Sequence, residues 1–265
     1  MKIKNKVIVV TGAGSGMGRE LTIQLVRKGA KVAMADINEQ TLNETENLAG
    51  ASNVSKHVLN VADKTSVEKF PDTVIKHHGT VDGIINNAGI IQPFVDVKDL
   101  DYGVIERIFN INFYGTLYMT KSFLPHLLKR PEAHIANVSS MGGFIPFPGQ
   151  TLYSASKAAV KIFTEGLYSE LKGTSVGVTV IHPGAIHTNI MLNSGIKSSV
   201  ESSDKDSSAG TLPADKAAAI MIDAIEKNKF RVMVGKDARM LDIIYRFNPK
   251  KAVDMIVKKM GDMKH

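Results

Sequence analysis

A tyrosine and a lysine lie four residues apart, at Tyr153 and Lys157, in a stretch whose pattern predicts a helix over residues 152–172. Side chains at this spacing share one face of a helix, so the ammonium group would lie beside the phenol. A phenol has a pKa of about 10, and a nearby cation lowers that pKa because it stabilises the phenolate. Such a pair could exchange a proton with a carbonyl or hydroxyl oxygen. Because such pairs also arise by chance on helix surfaces, the spacing alone does not establish the chemistry.

A glycine-rich turn, TGAGSGMG at residues 11–18, separates the first predicted strand from the first predicted helix. Small residues there let the backbone approach a pyrophosphate, and the free N–H groups of the helix start face its oxygens. Asp36 ends the next predicted strand, where a carboxylate can accept hydrogen bonds from both adenosine ribose hydroxyls and repel a 2′-phosphate. The alternative is a solvated aspartate at a strand end, or a helix N-cap. The combination predicts a dinucleotide site that takes NAD.

Short β-branched runs alternate with helical stretches along the chain. The predicted strands are 6–10, 31–35, 57–61, 81–85, 135–138, 176–181 and 230–234, and the predicted helices are 16–28, 38–49, 65–78, 101–129, 152–172 and 214–227. The interior strands are apolar on both faces, which is typical of a parallel sheet covered by helices. The pattern predicts a single-domain α/β fold, a Rossmann-like doubly wound parallel sheet of about seven strands with helices on both faces.

We assign residues 1–235 to this catalytic domain, with a substrate loop at about 189–212, and residues 236–265 to a basic amphipathic helical extension. Residues 229–265 hold ten Lys or Arg and four Asp, so they carry +6 of the net charge of +7. Because the rest of the chain is nearly neutral, no nucleic-acid partner is expected.

The absence of cysteine excludes disulfides, thiolate catalysis and cysteine-ligated zinc, and it favours a cytoplasmic location. His182 and His187 flank a Pro–Gly turn without a nearby carboxylate cluster, so we expect no metal site.

Four further motifs complete a resemblance to the short-chain dehydrogenase/reductase family in its single-domain form of about 250 residues. The matching segments are TGxxxGxG at 11–18, NNAG at 86–89, a helix-borne asparagine at 112, a serine pair at 139–140, YxxxK at 153–157 and PGxxxT at 183–188. They follow the family's order over residues 11–188, whereas the last 30 residues resemble the family poorly.

The resemblance implies a role for each matching residue. The implied catalytic residues are Asn112, Ser140, Tyr153 and Lys157. The implied cofactor-binding residues are Gly12, Ser15, Gly16, Met17, Gly18, Asp36, Asn60, Val61, Asn87, Ala88, Gly89, Tyr153, Lys157, Pro183, Gly184, Ile186 and Thr188. Ser140 would orient the substrate oxygen while Ser139 is structural, and Asn112 would support a water chain to Lys157 or be satisfied within its own helix. Asn60 stands where many members have aspartate, and Thr188 could equally cap a helix.

These roles imply an NAD(H)-dependent oxidoreductase that interconverts a secondary alcohol and a ketone, with Tyr153 as proton donor and acceptor. The alternatives are a 3-oxoacyl-type carbonyl reductase, or a non-catalytic NAD-binding sensor or membrane-associated protein of the same fold. The apolar segment 141–152 (MGGFIPFPGQTL) joins Ser140 to Tyr153 and favours an apolar substrate, although its side chains could instead pack the core or a subunit contact. Members of the family usually form homodimers or homotetramers, so we expect a homo-oligomer.

Two apolar stripes lie beyond residue 235. The first comprises Met240, Leu241, Ile244 and Phe247, and the second Ala252, Val253, Ile256, Val257 and Met260, beside lysines at 250, 251, 258 and 259. A basic amphipathic helix can lie on an anionic membrane, dock on an acidic partner or another subunit, or cover the protein's own core. We expect a peripheral membrane contact and leave the other interpretations open.

Overall fold

The structure is a computed structural model that describes residues 1–196 and 211–261, the last two by their backbone alone. Seven parallel strands form one sheet: β1 (Val7–Thr11), β2 (Lys31–Asp36), β3 (Val54–Val58), β4 (Gly83–Asn86), β5 (Ala133–Val138), β6 (Val176–Pro183) and β9 (Arg231–Val234). Two short strands, β7 (Ile186–His187) and β8 (Leu212–Pro213), pair separately. The order in the main sheet is β3-β2-β1-β4-β5-β6-β9, so the direction of winding reverses between β1 and β4.

Helices cover both faces of the sheet, as predicted. They are α1 (Gly16–Arg27), α2 (Glu39–Ala49), α3 (Lys64–His78), α4 (Tyr102–Phe109), α5 (Gly115–Leu127), α6 (Thr151–Glu170), α7 (Ile190–Asn193), α8 (Ala214–Glu226), α9 (Lys236–Phe247) and α10 (Pro249–Gly261). Successive strand side chains point to opposite faces. Accordingly Ile8 and Val10 pack in one core with α1 and α8, while Val7 and Val9 pack in the other with α3 and α5.

The third strand differs from the prediction. It spans Val54–Val58 and not 57–61. The prediction missed it because β3 is an edge strand that carries the polar residues Ser55, Lys56 and His57. Leu59 and Val61, which suggested the later position, are buried but lie beyond the end of the strand, in the core beneath α3 and α5. Polar residues on an edge strand hide the pattern that marks interior strands.

The predicted long helix over 101–129 is divided. Between α4 and α5 the backbone forms a π-helical stretch, Asn110–Tyr114. Such stretches are rare and occur frequently at functional sites. Asn112 lies in the middle of this one, which sets it apart from an ordinary helical residue.

The two C-terminal helices form a third, smaller core. Leu241 of α9 and the residues Ala252 and Ile256 of α10 are buried together with Ile145. The apolar segment around Ile145 therefore packs largely against the protein's own last helices, which is the interpretation that the sequence left open for it. In the described ranges, no helix has both the length and the apolar character needed to cross a membrane.

Candidate active site

The carboxyl ends of β1 and β4 meet where the winding of the sheet reverses, the place where open α/β sheets bind ligands. The Thr11 hydroxyl accepts hydrogen bonds from the backbone N–H groups of Asn87 and Ala88, each at 3.0 Å. The Asn87 side chain in turn donates to the Thr11 carbonyl at 3.0 Å. These contacts fix the glycine-rich turn to the segment after β4. The sequence placed Thr11 at the start of the first motif but gave it no role.

The glycines of the turn are required by its geometry. Gly12 and Gly16 have φ angles of +66° and +50°, in the left-handed region that favours glycine. A Cβ on Gly18 would overlap the carbonyl oxygen of Gly12. The turn therefore leaves its backbone open toward the start of α1, as a bound pyrophosphate requires.

A cleft of about 280 Å³ runs along this edge of the sheet. Eleven of the predicted cofactor residues line it, namely Gly12, Ser15, Gly16, Met17, Asp36, Asn60, Val61, Asn87, Ala88, Gly89 and Thr188. Gly18 lies behind the turn, and Pro183, Gly184 and Ile186 do not belong to the described lining. Asp36 is the one carboxylate and Arg107 the one cation among the described residues that line it. The sequence did not single out Arg107, because it lies in a helix without a family motif.

Asp36 is held by backbone donors at the far end of the cleft. One carboxylate oxygen accepts from the N–H of Gly14 at 2.9 Å and the other from the N–H of Asn38 at 3.0 Å. The cap of α2 is the side chain of Asn38, which accepts from the N–H of Thr41, so Asp36 is not the cap itself. The nearby Arg19 is paired with Glu44 at 2.6 Å. Asp36 is thus oriented as a ribose acceptor would be.

Helix α6 brings Tyr153 and Lys157 to the other end of the site. The Lys157 side chain is buried, and its Nζ donates to the carbonyl of Val138 at 2.9 Å. A Cβ on Gly89 would lie 3.0 Å from Lys157 Nζ and 3.2 Å from Asn112 Oδ1, so the two side chains meet at this glycine. Gly89 also lines the cleft, so Lys157 lies just behind the cleft wall.

Asn112 joins three elements and is not satisfied within its own helix. Its Oδ1 accepts from the N–H of Ile90 at 2.9 Å, and its Nδ2 donates to the Ile90 carbonyl and to Ser156 Oγ, each at 3.0 Å. The π-helical stretch, the segment after β4 and α6 are therefore fixed to one another at this residue.

Ser140 stands beside the tyrosine. Its Oγ accepts from the N–H of Gly142 at 3.0 Å. A Cβ on Gly142 would lie 3.3 Å from this Oγ and 3.5 Å from Tyr153 Cε1, so the two side chains are neighbours. His182 Nδ1 donates to the Ser140 carbonyl at 2.9 Å, which makes this histidine a support for the serine backbone. Ser139 points away, and its hydroxyl donates to the carbonyl of Lys157 at 2.7 Å. The Ser139 hydroxyl is thus engaged with α6, whereas the Ser140 hydroxyl lies on the side of Tyr153.

Burial dominates the titration of both catalytic candidates. Burial raises the pKa of Tyr153, and the hydrogen bond from Ser140 offsets only part of this rise. Burial also lowers the pKa of Lys157 to about 8. The net direction of the Tyr153 pKa is thus upward and is set by burial, whereas the Tyr–Lys spacing alone predicts a downward shift. Tyr153 is held as the neutral phenol, the form that donates a proton.

Gln92 positions the catalytic helix, although no sequence motif pointed to it. It is completely buried, and its Oε1 accepts from the backbone N–H groups of Leu152 and Tyr153, each at 2.9 Å. Its Nε2 donates to the Gly149 carbonyl at 2.9 Å. Gln150, the residue just before α6, makes no side-chain hydrogen bond that caps this helix. Gln92 therefore supplies from a distant segment the acceptor that a helix N-terminus needs.

The first part of the predicted substrate loop crosses the cleft. Asn193, at the end of α7, donates through Nδ2 to Ser15 Oγ at 2.8 Å, and Ser194 Oγ accepts from the N–H of Ile91 at 3.0 Å. The segment thus connects the glycine-rich turn with the loop after β4. Residues 197–210 of the predicted loop lie outside the described residues.

The turn at Pro183 and Gly184 is held by the C-terminal helices. Asp237, in the first turn of α9, accepts through Oδ2 from the N–H of Ala185 at 2.7 Å. A Cβ on Gly184 would collide with the same carboxylate. The sequence placed Asp237 in an extension outside the motifs, so its contact with this turn was not anticipated.

Comparisons with known proteins point to one family. The family model for short chain dehydrogenases matches residues 6–198. SadH of Mycobacterium tuberculosis, which its name places among the oxidoreductases, is 37% identical over 251 residues, covering 92% of this chain and 91% of its own. The FabG 3-oxoacyl-[acyl-carrier-protein] reductase of Thermotoga maritima is 35% identical over 194 residues, covering 71% of this chain and 77% of its own.

Among solved structures, a short-chain dehydrogenase/reductase of Burkholderia phymatum in complex with NAD superposes with a TM-score of 0.81 at 25% identity, covering 93% of this chain and 96% of its own. Levodione reductase, with a TM-score of 0.78 at 24% identity over 88% of this chain and 96% of its own, shares the fold. The chain belongs to the short-chain dehydrogenase family of oxidoreductases.

The contacts of Gln92 predict that Gln92→Leu lowers the turnover number at least about tenfold, a barrier increase of about 1.4 kcal/mol. The helix start that carries Tyr153 loses its acceptor, whereas affinity for the dinucleotide stays within about twofold because the cleft is untouched. Gln92→Glu keeps the two acceptor contacts but needs a protonated carboxyl to donate to the Gly149 carbonyl, so it should recover turnover as pH falls. Gln24→Leu, which removes a side-chain donor to the Asp215 carbonyl, is the control. If Gln92→Leu weakens dinucleotide binding and turnover equally, the effect is merely structural.

Proposed function

We propose that the protein is an NAD(H)-dependent oxidoreductase that interconverts an apolar secondary alcohol and the corresponding ketone. One observation carries the proposal: Ser140, the neutral phenol of Tyr153 and the Lys157–Asn112 pair converge beside a cleft whose far end is Asp36. A hydroxyl that orients an oxygen, a proton donor and a cation are the groups that carbonyl reduction needs from a protein.

Bound NAD(H) would supply or accept the hydride at the carbon of the substrate. The residues of the chain handle the oxygen. Ser140 would hold the carbonyl oxygen by a hydrogen bond, and Tyr153 would transfer its phenolic proton to that oxygen as the alcohol forms. The resulting phenolate would be stabilised by the Lys157 ammonium, whose burial strengthens the attraction. Oxidation would run through the same contacts in reverse, with Tyr153 as the acceptor of the alcohol proton.

The residues around the cleft support a dinucleotide with a free ribose 2′-hydroxyl. One carboxylate oxygen of Asp36 accepts a hydrogen bond from the N–H of Gly14 and the other from the N–H of Asn38. Each oxygen retains a lone pair that can accept from a ribose hydroxyl. A 2′-phosphate at this place would meet the carboxylate. The NAD complex of the Burkholderia relative supports the same assignment.

The loops near the catalytic residues support an apolar substrate. The segments 90–95, 141–152 and 189–196 contain no charged residue. Phe94, Met191 and Leu192 in these loops are exposed. Ile145 packs against the C-terminal helices and is not available to a substrate. The preference for an apolar substrate therefore rests on Phe94, Met191 and Leu192. The name of the Thermotoga relative makes a 3-oxoacyl chain the second candidate substrate.

A substrate screen with NADH, followed by nicotinamide absorbance, tests the reaction. We expect apolar ketones to exceed charged sugars, and Tyr153→Phe to lose about 10²- to 10⁴-fold in turnover while still binding the dinucleotide. Tyr168→Phe is the matched control, because it removes a phenolic hydroxyl from the same helix next to Phe230. Retention of full turnover by Tyr153→Phe would remove the mechanism, and preference for charged sugars would remove the substrate class.

The cofactor assignment predicts that NADH binds at least about tenfold more tightly than NADPH, equivalent to about 1.4 kcal/mol. Asp36→Ala should weaken NADH about tenfold and leave NADPH unchanged or tighter, because it removes both the ribose acceptor and the repulsion. Fluorescence titration of both dinucleotides measures this. Asp72→Ala, an exposed charge change on α3, is the control. Tighter binding of NADPH to the unaltered protein contradicts the assignment.

The pKa of Lys157 predicts a pH dependence for carbonyl reduction. The rate should be level below the lysine pKa of about 8 and fall as pH rises through that value, because neutral lysine no longer stabilises the phenolate. Tyr153 stays protonated over this range since its pKa is raised. Lys157→Arg, which remains charged, should move the descending limb to higher pH. A reduction rate that increases between pH 7 and 9 is incompatible with these roles.

A further inference from the structure

Helix α9 has apolar residues on two faces. Its inner face, with Ala238 and Leu241 buried, packs on the core around Ile145. Its outer face carries Met240, Ile243 and Phe247, which are 51%, 57% and 88% exposed. These three residues, the α9 stripe, recur at intervals of three and four and therefore lie along one side of the helix. Met240 and Phe247 belong to the apolar stripe predicted from the sequence together with Leu241 and Ile244, which face inward. Ile243 is not part of that predicted stripe.

The charges around the α9 stripe are one-sided. Lys236 and Arg239 are exposed beside it. The carboxylates of α9 are engaged elsewhere: Asp237 accepts from the N–H of Ala185, and Asp242 pairs with Arg231 and Arg246. The outer face thus combines apolar side chains with cations. Asp237 and Asp242, the two carboxylates of α9, are both engaged in other contacts.

Helix α10, which follows α9, adds further exposed cations. Ala252 and Ile256 are buried against the third core, which leaves the lysines at 250, 251, 258 and 259 exposed. Asp254, the acid of α10, pairs with Lys250 at 2.8 Å. The basic charge that the sequence concentrated in this part of the chain is therefore exposed on the helix that follows the α9 stripe.

We propose that the α9 stripe docks on the surface of an anionic membrane, with Phe247 inserted at the boundary between headgroups and acyl chains. Exposed apolar residues flanked by cations match a surface whose headgroups are negative and whose interior is apolar. A second copy of this chain meeting the same face would bring the same cations together, which opposes symmetric pairing. The docking does not depend on the proposed enzymatic activity.

Sedimentation of the full chain with vesicles tests the docking. The vesicles contain phosphatidylcholine alone or with about one-third phosphatidylglycerol, the negative lipid that exposed lysines attract. We expect binding to the anionic vesicles that is at least about tenfold stronger than to the neutral ones and that weakens at high salt. Binding that is equal for both vesicles, or absent, overturns the proposal.

Variants separate the α9 stripe from the general positive charge. Ile243→Ser with Phe247→Ser should reduce vesicle binding at least about tenfold, with unaltered thermal unfolding because both side chains are exposed. Lys250→Glu with Lys251→Glu should weaken it similarly through charge. Tyr102→Ser, which removes an aromatic residue that is 82% exposed on α4, should leave it unchanged. Unchanged binding by the serine pair overturns the proposal, as does self-association without vesicle binding that the same pair abolishes.

Discussion

The Thr11 hydroxyl accepts two backbone N–H groups from the segment that follows β4, and the rest of the site is placed relative to that contact. Where the winding reverses, β1 and β4 are neighbours, yet the residues in contact there, Thr11 and Asn87, are 76 positions apart in the sequence. The same segment then contacts Asn112 through Ile90 and the start of α6 through Gln92. A continuous set of hydrogen bonds thus connects the glycine-rich turn to the backbone of Tyr153. Because each member is a backbone group, a buried amide or the buried hydroxyl of Thr11, the connection is rigid and little affected by salt.

Exclusion of water sets the electrostatics of the catalytic end. In water the phenol and the ammonium group would be protonated at neutral pH and the proton would be hard to remove from either. Burial moves the two pKa values in opposite directions, because each group disfavours its own charged form. Tyr153 is therefore held as an acid, and Lys157 lies closer to its own titration point. A ligand in the cleft can most readily change the charged state of Lys157, because Gly89 lies between the cleft and this lysine.

The sequence predicted the helices and interior strands well, because period-two and period-3.6 patterns are local and the buried strands are apolar on both faces. It also identified eleven of the residues that line the cleft, through motifs tied to backbone geometry, as with Gly12 and Gly16. It misplaced β3, whose edge position removes the apolar pattern. It could not find Gln92 or Asp237, because each acts on a backbone group about 50 or more residues away and a single amide or carboxylate leaves no local pattern. The raised pKa of Tyr153 was likewise invisible, since burial is a property of the assembled fold.

The contact between Asp237 and the amide of Ala185 has a consequence for how this fold can be shortened or exchanged. The family model matches residues 6–198, so the part of the chain that carries the motifs ends before α9. Within that part, Gly184 cannot carry a side chain, because a Cβ there would collide with the Asp237 carboxylate of α9. A hybrid that joined these motifs to another relative's tail would leave the Ala185 amide without its acceptor and Ile145 facing water. The last helices and the motif-bearing region would therefore have to be inherited together, as one unit of exchange.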